Sequence, residues 1–260
     1  MRIPFTKYGW PEVVVLPAVV FAGMVAFLLA SISFMSTWAI VSVEIILAIV
    51  LILVLLFFRD PYRPVPLDQN LLLAPADGRI TDIEMVDDPP AFLRKQESRS
   101  GQSDALDWIK SAGADRALRI GIFLSIFDAH INRAPCNAKV EKITYRQGRY
   151  KSAMNPGSGQ VNESNNLGLA RTDSPQDRLM VRQISGAIAR RIVCEARQGQ
   201  ELASGEKFGM IKFGSRTELY VSARSDLKCL VQIGDKVKAG VTPLVRYDGS
   251  PLCGNQACPD

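Results

Sequence analysis

The sequence is poor in the side chains that most protein chemistry relies on. It has one histidine, His130, in 260 residues. Its five cysteines, Cys136, Cys194, Cys229, Cys253 and Cys258, are odd in number and unevenly spread. That is not a disulfide framework, and it fits reduced thiols in a cytosolic compartment. Cys253 and Cys258 lie close together but have no second cysteine pair or nearby histidine, which excludes an ordinary zinc site. No stripe of basic residues interleaved with aromatics, zinc finger or other nucleic-acid motif is present, so nucleic acid is not an expected partner. Outside the first sixty positions there is also no long run with the 3.6-residue period of a helix.

What the chain does have is uneven hydrophobicity. Apolar residues make up 47% of it beside 22% charged residues, and they concentrate at the N-terminus. Residues 13–35 and 38–58 are apolar runs, the second interrupted only by Ser42 and Glu44. At about 1.5 Å per residue each covers roughly the 30 Å of a bilayer's hydrocarbon core. With almost nothing between them they predict a transmembrane hairpin, residues 1–60 forming a membrane anchor. Arg2 and Lys7 precede the pair and Arg59 and Arg63 follow it, which puts both ends in the cytoplasm. A cleaved signal peptide is the competing reading, but the first run is too long and a second span follows at once. Glu44 should face the other helix, and Gly23 offers a place for close approach. The segment Phe57-Phe58-Arg59-Asp60-Pro61-Tyr62-Arg63-Pro64-Val65-Pro66 then reads as a stiff membrane-exit linker. A net charge of +5 suits an anionic surface, and beside such an anchor that surface is lipid.

Residues 61–260 have a different texture, with short β-branched runs broken by glycine, proline and asparagine. Strands are expected at 71–74, 79–86, 117–125, 138–145, 179–194, 209–213, 217–222 and 228–233, giving a mainly β, sandwich- or barrel-like domain. Two polar stretches, 87–115 and 152–176, read as loops. Leu106, Trp108 and Ile109 in the first belong either to a short lipid-touching helix or to a buried anchor. The segment from Val231 to Leu244 around Gly234-Asp235 resembles the turn of biotinyl and lipoyl carrier domains, and Ala76-Asp77-Gly78-Arg79-Ile80 has the same flavour. These argue for a fold and not an activity. The lysine that a carrier would modify is not evident. A membrane adaptor built on such a sandwich remains a reading of the anchor and this turn.

Between two expected strands lies the bond Gly214-Ser215. A glycine carbonyl is unhindered, and glycine reaches backbone angles closed to other residues, so strain there lets Ser215 Oγ approach the Gly214 carbonyl carbon. The plainer reading is a β-hairpin turn, for which Gly-Ser is an ordinary pair. A serine nucleophile needs a base, and His130 is the only imidazole on offer. The base in turn wants an orienting carboxylate, and Asp77 is the best candidate. Asp77 before Gly78 also reads simply as a turn residue.

The stretch Glu206-Lys207-Phe208-Gly209-Met210-Ile211-Lys212-Phe213-Gly214-Ser215-Arg216 resembles the processing segment of the phosphatidylserine decarboxylases in their short membrane-attached form. Ala74-Pro75-Ala76-Asp77-Gly78, the segment from Ser125 to Pro135 around His130, the exit linker, and Ile184-Ser185-Gly186-Ala187-Ile188-Ala189-Arg190-Arg191-Ile192-Val193 match the same pattern in the same order, with Ser185 where the family often has alanine. The resemblance runs from Phe57 to about Leu244.

That resemblance implies an enzyme that cuts itself between Gly214 and Ser215, with Asp77, His130 and Ser215 as the processing triad. Ser215 would become a pyruvoyl group, which does the work of pyridoxal phosphate elsewhere and requires no metal or added cofactor. The fragments 1–214 and 215–260 would stay associated. The substrate implied is phosphatidylserine in an anionic membrane, converted to phosphatidylethanolamine and CO₂ by a domain facing the cytoplasm from the inner membrane. A relative acting on another serine lipid, such as one with ether-linked isoprenoid chains, has identical headgroup chemistry. A homo-oligomer is left open. Some longer relatives carry a histidine three before the processing histidine, whereas here the nearest titratable side chain is Asp128, two before His130, so the returning proton is assigned among Asp128, His130 and water. Arg133, Arg146, Lys151, Arg190 and Arg191 can meet the phosphate. Asn162 and Glu163 match an Asn-Glu pair of the family, although Ser164 replaces the arginine expected next.

Overall fold

The computed structural model describes residues 5–86, 101–111, 113, 116–151, 161–187, 191–212 and 215–248. Gly214, Arg190, Cys253 and Cys258 lie outside these, as does the whole stretch 87–100. The chain divides into two compact units, Met1–Tyr62 with Ile126–Ala129, and Arg63–Ser125 with His130–Asp260.

In the first unit two apolar helices, α1 (Glu12–Ser31) and α2 (Thr37–Phe57), pack on each other. Each is long and apolar enough to cross a membrane. The polar interruption at Ser42 is neutralised within the helix, its hydroxyl donating to Trp38 O at 2.8 Å,. Gly23 does not mediate the contact expected of it, because a Cβ there would meet nothing within 4 Å. At the far end of α2 the rings of Phe57 and Phe58 meet edge to face at 5.1 Å. Phe58 O accepts from Thr6 N at 2.9 Å, and a Cβ on Gly9 would lie 2.3 Å from the Phe58 ring. Arg59 donates to Phe127 O at 2.6 Å. The loop Ile126–Ala129 thereby joins this end of the hairpin with Ile126 and Phe127 exposed.

The second unit is mainly β. Its strands are β1 (Leu71–Leu73), β2 (Gly78–Val86), β3 (Ala117–Leu124), β4 (Ile131–Arg133), β5 (Ala138–Arg146), β6 (Ser164–Arg171), β7 (Arg178–Ser185), β8 (Arg191–Cys194), β9 (Glu201–Leu202), β10 (Lys207–Lys212), β11 (Ser215–Ser222), β12 (Leu227–Cys229), β13 (Lys236–Val237) and β14 (Pro243–Tyr247). Eight of them form one curled, half-barrel sheet in the order β13-β2-β3-β11-β7-β6-β5-β9, and two three-stranded sheets, β4-β10-β8 and β1-β14-β12, complete the unit. Side chains alternate across each strand. One face of the large sheet contributes Ile80, Ile120, Ile122, Leu167, Leu179, Val181 and Leu219 to the main core, with Phe208, Leu72 and Val245 from the smaller sheets.

Helix α3 (Gly101–Lys110) covers part of the opposite face. Leu106 and Ile109 are buried against Val86, Ala117, Met180 and Tyr220, so this segment is a buried anchor. Trp108 donates from its indole to Leu179 O at 3.2 Å, and a Cβ on Gly168 would crowd that ring at 3.0 Å. The two carrier-like segments lie side by side: Ile80 N donates to Asp235 O, Gly234 N to Ile80 O, and Gly240 N to Ala74 O.

Three expectations are corrected. The stretch 152–176 contains the eight-residue strand β6. The run 179–194 is two strands in different sheets, β7 and β8. β10 and β11 are not a hairpin, because β10 pairs with β4 and β8 while β11 pairs with β3 and β7. The Gly214-Ser215 junction therefore carries the chain from one sheet into another.

Candidate active site

Several of the residues singled out in the sequence fall at one end of the large sheet. Ser215, first in β11, stands opposite Leu124, last in β3, and Ser185, last in β7. Ser164 opens β6 opposite Ile184 and Arg146, the last residue of β5. Asp77 precedes Gly78, where β2 begins. Gly78 has φ +150°, and a Cβ there would lie 2.2 Å from Phe123 O, so only glycine fits this approach of β2 to β3,. His130 is fully buried just before β4, and its carbonyl accepts from Ile211 N at 3.2 Å. Thus the His130 main chain lies against β10, the strand that leads toward the junction, and Ser215 opens the strand that leaves it.

Ser215 is itself fully buried, and among the described residues its Oγ has no hydrogen-bond partner. A buried hydroxyl left unpaired costs about 1–3 kcal/mol. That cost marks the atom as one whose use is not structural.

The segments bearing Asp77, His130 and Ser215 are tied together by a side chain that sequence reasoning missed. Asn132, two residues beyond His130, donates to Pro75 O at 3.3 Å and to Thr217 Oγ1 at 3.0 Å. Its own oxygen accepts from Gln183 Nε2 at 2.9 Å. Arg133 N also donates to Pro75 O at 2.9 Å. Pro75 is two residues before Asp77 and Thr217 two beyond Ser215, so one buried amide spans all three. The Asp77 carboxylate accepts from Ala239 N at 2.8 Å and pairs with Arg63 at 2.5 Å. Asp77 is therefore more than a turn residue. Asp128 belongs to the loop Ile126–Ala129 of the first unit.

The residues expected to meet a headgroup divide in two. Asn162 uses its amide on main chain, donating to Lys151 O and Ser185 O, both at 2.8 Å, and accepting from Lys151 N at 2.9 Å. Glu163 accepts from Tyr150 OH at 2.6 Å. Arg133 is buried with its guanidinium donating to Gly205 O at 3.0 Å. Arg146 is half-buried, and Lys151 and Arg191 are exposed. Asn162 and Arg133 thus hold main chain in place, whereas Arg146 and Lys151 are more open to solvent.

Beneath this end of the sheet lies a buried ionic cluster. Arg216, on the face of β11 opposite the core, is fully buried, as is Glu218. Arg216 pairs with Asp82 at 2.5 Å and with Glu218 at 2.9 Å. Arg182 and Arg119 approach Glu218 at 3.5 and 3.6 Å, and Tyr220 OH donates to it at 2.8 Å. Burial alone would raise both carboxyls, but the Arg216 hydrogen bond and charge hold Asp82 below its ordinary 3.8. The charges of Arg182, Arg216 and Arg119 likewise hold Glu218 below 4.5,. Carboxyls lowered by folding contribute stability that is present above their ordinary values and lost as pH falls through the lowered ones. Asp177, raised by burial against the pull of Arg171 and Arg224, acts in the opposite sense, one group against two. The thermal midpoint of a Ser215→Ala chain should therefore hold from about pH 7 to about 5 and drop below about pH 4. An Asp82→Asn change in the same chain should flatten that drop, as a pH series of melting curves would record.

Among the described residues no group of three or more His, Cys, Asp or Glu side chains is placed to hold a metal ion. The family profile described as phosphatidylserine decarboxylase matches residues 50–244. The chain is 36% identical over 245 residues to the phosphatidylserine decarboxylase proenzyme of Rhodopirellula baltica, covering 94% of this chain and 89% of the relative. It is 37% identical over 247 residues to the proenzyme of that name from Symbiobacterium thermophilum, covering 95% and 97%. Against the one from Desulfotalea psychrophila identity is 40% over 190 residues, covering 73% and 77%. With likeness of this extent across both the helical hairpin and the sheets, the chain belongs to the phosphatidylserine decarboxylase family of enzymes.

Proposed function

We propose that the chain cuts itself between Gly214 and Ser215 and then decarboxylates phosphatidylserine to phosphatidylethanolamine with the pyruvoyl group left at position 215. The observation that carries this reading is the buried Ser215 hydroxyl, without a hydrogen-bond partner among the described residues, at the point where the chain passes between two sheets. His130 takes the proton of Ser215 Oγ, and the oxygen bonds to the Gly214 carbonyl carbon. The bond from that carbon to the nitrogen of residue 215 breaks, and the proton passes to that nitrogen, so an amide becomes an ester. Loss of the α-proton of residue 215 then expels the Gly214 carboxylate and leaves a dehydroalanine. Its tautomer takes up water and releases ammonia. Asp77 fixes the imidazole in this sequence, as an acidic partner does in other serine systems.

The burial of position 215 suits such a product, since a methyl ketone has no hydroxyl left to satisfy in a buried site. A pyruvoyl group supplies carbonyls that accept electrons as CO₂ leaves an amine-bearing carbon. The proton that returns there is assigned among Asp128, His130 and water. Fragment 215–260 would remain in place, because β11 is paired along its length on both sides and β13 and β14 pair with β2 and β1.

Arg146 and Lys151 are assigned to the lipid phosphate, being two cations at this end of the sheet that solvent reaches. A charge-assisted contact contributes about 1.5–3 kcal/mol. Arg146→Ala combined with Lys151→Ala should therefore raise KM for phosphatidylserine at least about tenfold, with kcat and chain cleavage unchanged, by steady-state kinetics in mixed micelles. The helices α1 and α2 are read as a hairpin in the inner membrane with both ends cytoplasmic, where the exposed Ile126 and Phe127 beside Arg59 would meet the lipid interface. The substrate assignment is tested by incubating purified chain with phosphatidylserine in detergent and following phosphatidylethanolamine and CO₂. Absence of both from a chain that has cleaved would overturn the substrate and leave the self-cleavage standing.

A further inference from the structure

Arg216, the residue after the scissile bond, reaches unusually far. Its Nη2 donates to both carboxylate oxygens of Asp82, at 2.7 and 2.5 Å, and its Nη1 to Thr81 Oγ1 at 2.8 Å. Its Nε donates to Glu218 Oε1 at 2.9 Å. Asp82 and Thr81 are on β2, which is separated from β11 by the whole of β3. A side chain ordinarily cannot cross a strand on a packed face, because the intervening side chain stands in the way. Here the intervening residue is Gly121. A Cβ on it would lie 2.0 Å from Arg216 Nη2 and 2.4 and 2.7 Å from the Asp82 oxygens. On the far side, β2 shifts register between Ile80 and Asp82. That bulge turns Thr81 and Asp82 together toward the guanidinium, and Thr81 Oγ1 also donates to Asp82 at 2.7 Å,.

Each of these features costs stability. Glycine inside a strand weakens it, a bulge breaks the ladder, and a buried ion pair is often no better than apolar packing of the same volume. All three meet at the side chain next to Ser215. Resting on the self-cleavage reading above, we propose that Arg216 is a positioning residue: its fork on Asp82, Thr81 and Glu218 fixes the start of β11 so that Ser215 Oγ is held in line with the carbonyl it attacks. Attack of this kind needs the reacting atoms about 3–3.5 Å apart, and a displacement near 1 Å costs about a hundredfold in rate. Asp82 and Thr81 lie in fragment 1–214 and Arg216 in fragment 215–260, so the anchor persists after the cut and holds position 215 for the second reaction.

Arg216→Lys keeps the charge and removes the fork. Freshly synthesised Arg216→Lys chain should convert to its two fragments about tenfold to a hundredfold more slowly than the unaltered chain, as timed on denaturing gels. The same change in a Ser215→Ala chain reports the stability cost by melting temperature. Arg224→Lys is the comparison, since Arg224 sits in a second ionic cluster with Asp226 at 2.7 Å and Asp177 at 3.6 Å. It should lower the melting temperature and leave the cleavage rate unchanged. Equal cleavage rates for Arg216→Lys and the unaltered chain would overturn the proposal, as would a slowing that Arg224→Lys matches at equal loss of melting temperature. If Arg216→Lys does not fold, Asp82→Asn takes its place with the same expected slowing and the same overturning results. An unaltered chain that never cleaves would instead remove the self-cleavage reading, and this proposal with it.

Discussion

A Ser215→Ala chain is expected to run as one species of 260 residues and to form no phosphatidylethanolamine. Without Oγ there is no atom to attack the Gly214 carbonyl, so neither the cut nor the pyruvoyl group can arise. The fold should survive the change, because the hydroxyl has no hydrogen-bond partner among the described residues and its removal breaks nothing. Deleting an unpaired buried hydroxyl relieves a cost of about 1–3 kcal/mol, so the variant should melt no lower than the uncut precursor. Denaturing gels, melting curves and lipid analysis of one preparation check all three statements. Cleavage of the Ser215→Ala chain at the same bond would remove the serine from the reaction.

The largest loss of stability is expected from Glu218→Gln. Glu218 is fully buried and faces Arg216, Arg182 and Arg119. Neutralising it leaves three guanidiniums crowded together, two of them still paired with the buried Asp82. Removing one partner of a buried ion pair costs about 3–5 kcal/mol, because the charge left behind stays desolvated. For a domain of this size that corresponds to a fall of about 10 °C in melting temperature. Measured in the Ser215→Ala background, the loss is separated from any effect on cleavage. A fall of only one or two degrees would mean that water reaches the cluster and screens it.

Neither result could be anticipated from local sequence to the same degree. The two apolar runs and the β texture beyond them are periodic and local, and α1, α2 and most of the expected strands stand where that pattern puts them. The strand β6 was hidden, because Ser164–Arg171 is rich in asparagine and glycine and becomes a strand through its partners β5 and β7. Asn165 is satisfied by Gln183, at 3.0 Å across the sheet, a partner that spacing cannot reveal. The Gly214-Ser215 corner looked like a hairpin because flanking strands are visible in sequence while their pairing is not. Nothing in the local sequence marks Arg216 and Glu218, two apart on a strand, as buried. They are buried because the sheet is covered on both faces, and their partners Asp82, Arg119 and Arg182 come from three other strands. The candidate residues themselves, Asp77, His130 and Ser215, lie in short motifs and were legible. Asn132, which ties their segments together, carries no signal beyond its nearness to His130.

The most direct measurement is the intact mass of the unaltered protein, purified in detergent. Self-cleavage at Ser215 requires two fragments, 1–214 and 215–260, the smaller one lacking a free amino end and lighter by one ammonia than simple hydrolysis would leave it. A chain that makes phosphatidylethanolamine while remaining whole, or a 215–260 fragment that begins with an unmodified serine, would contradict the pyruvoyl reaction.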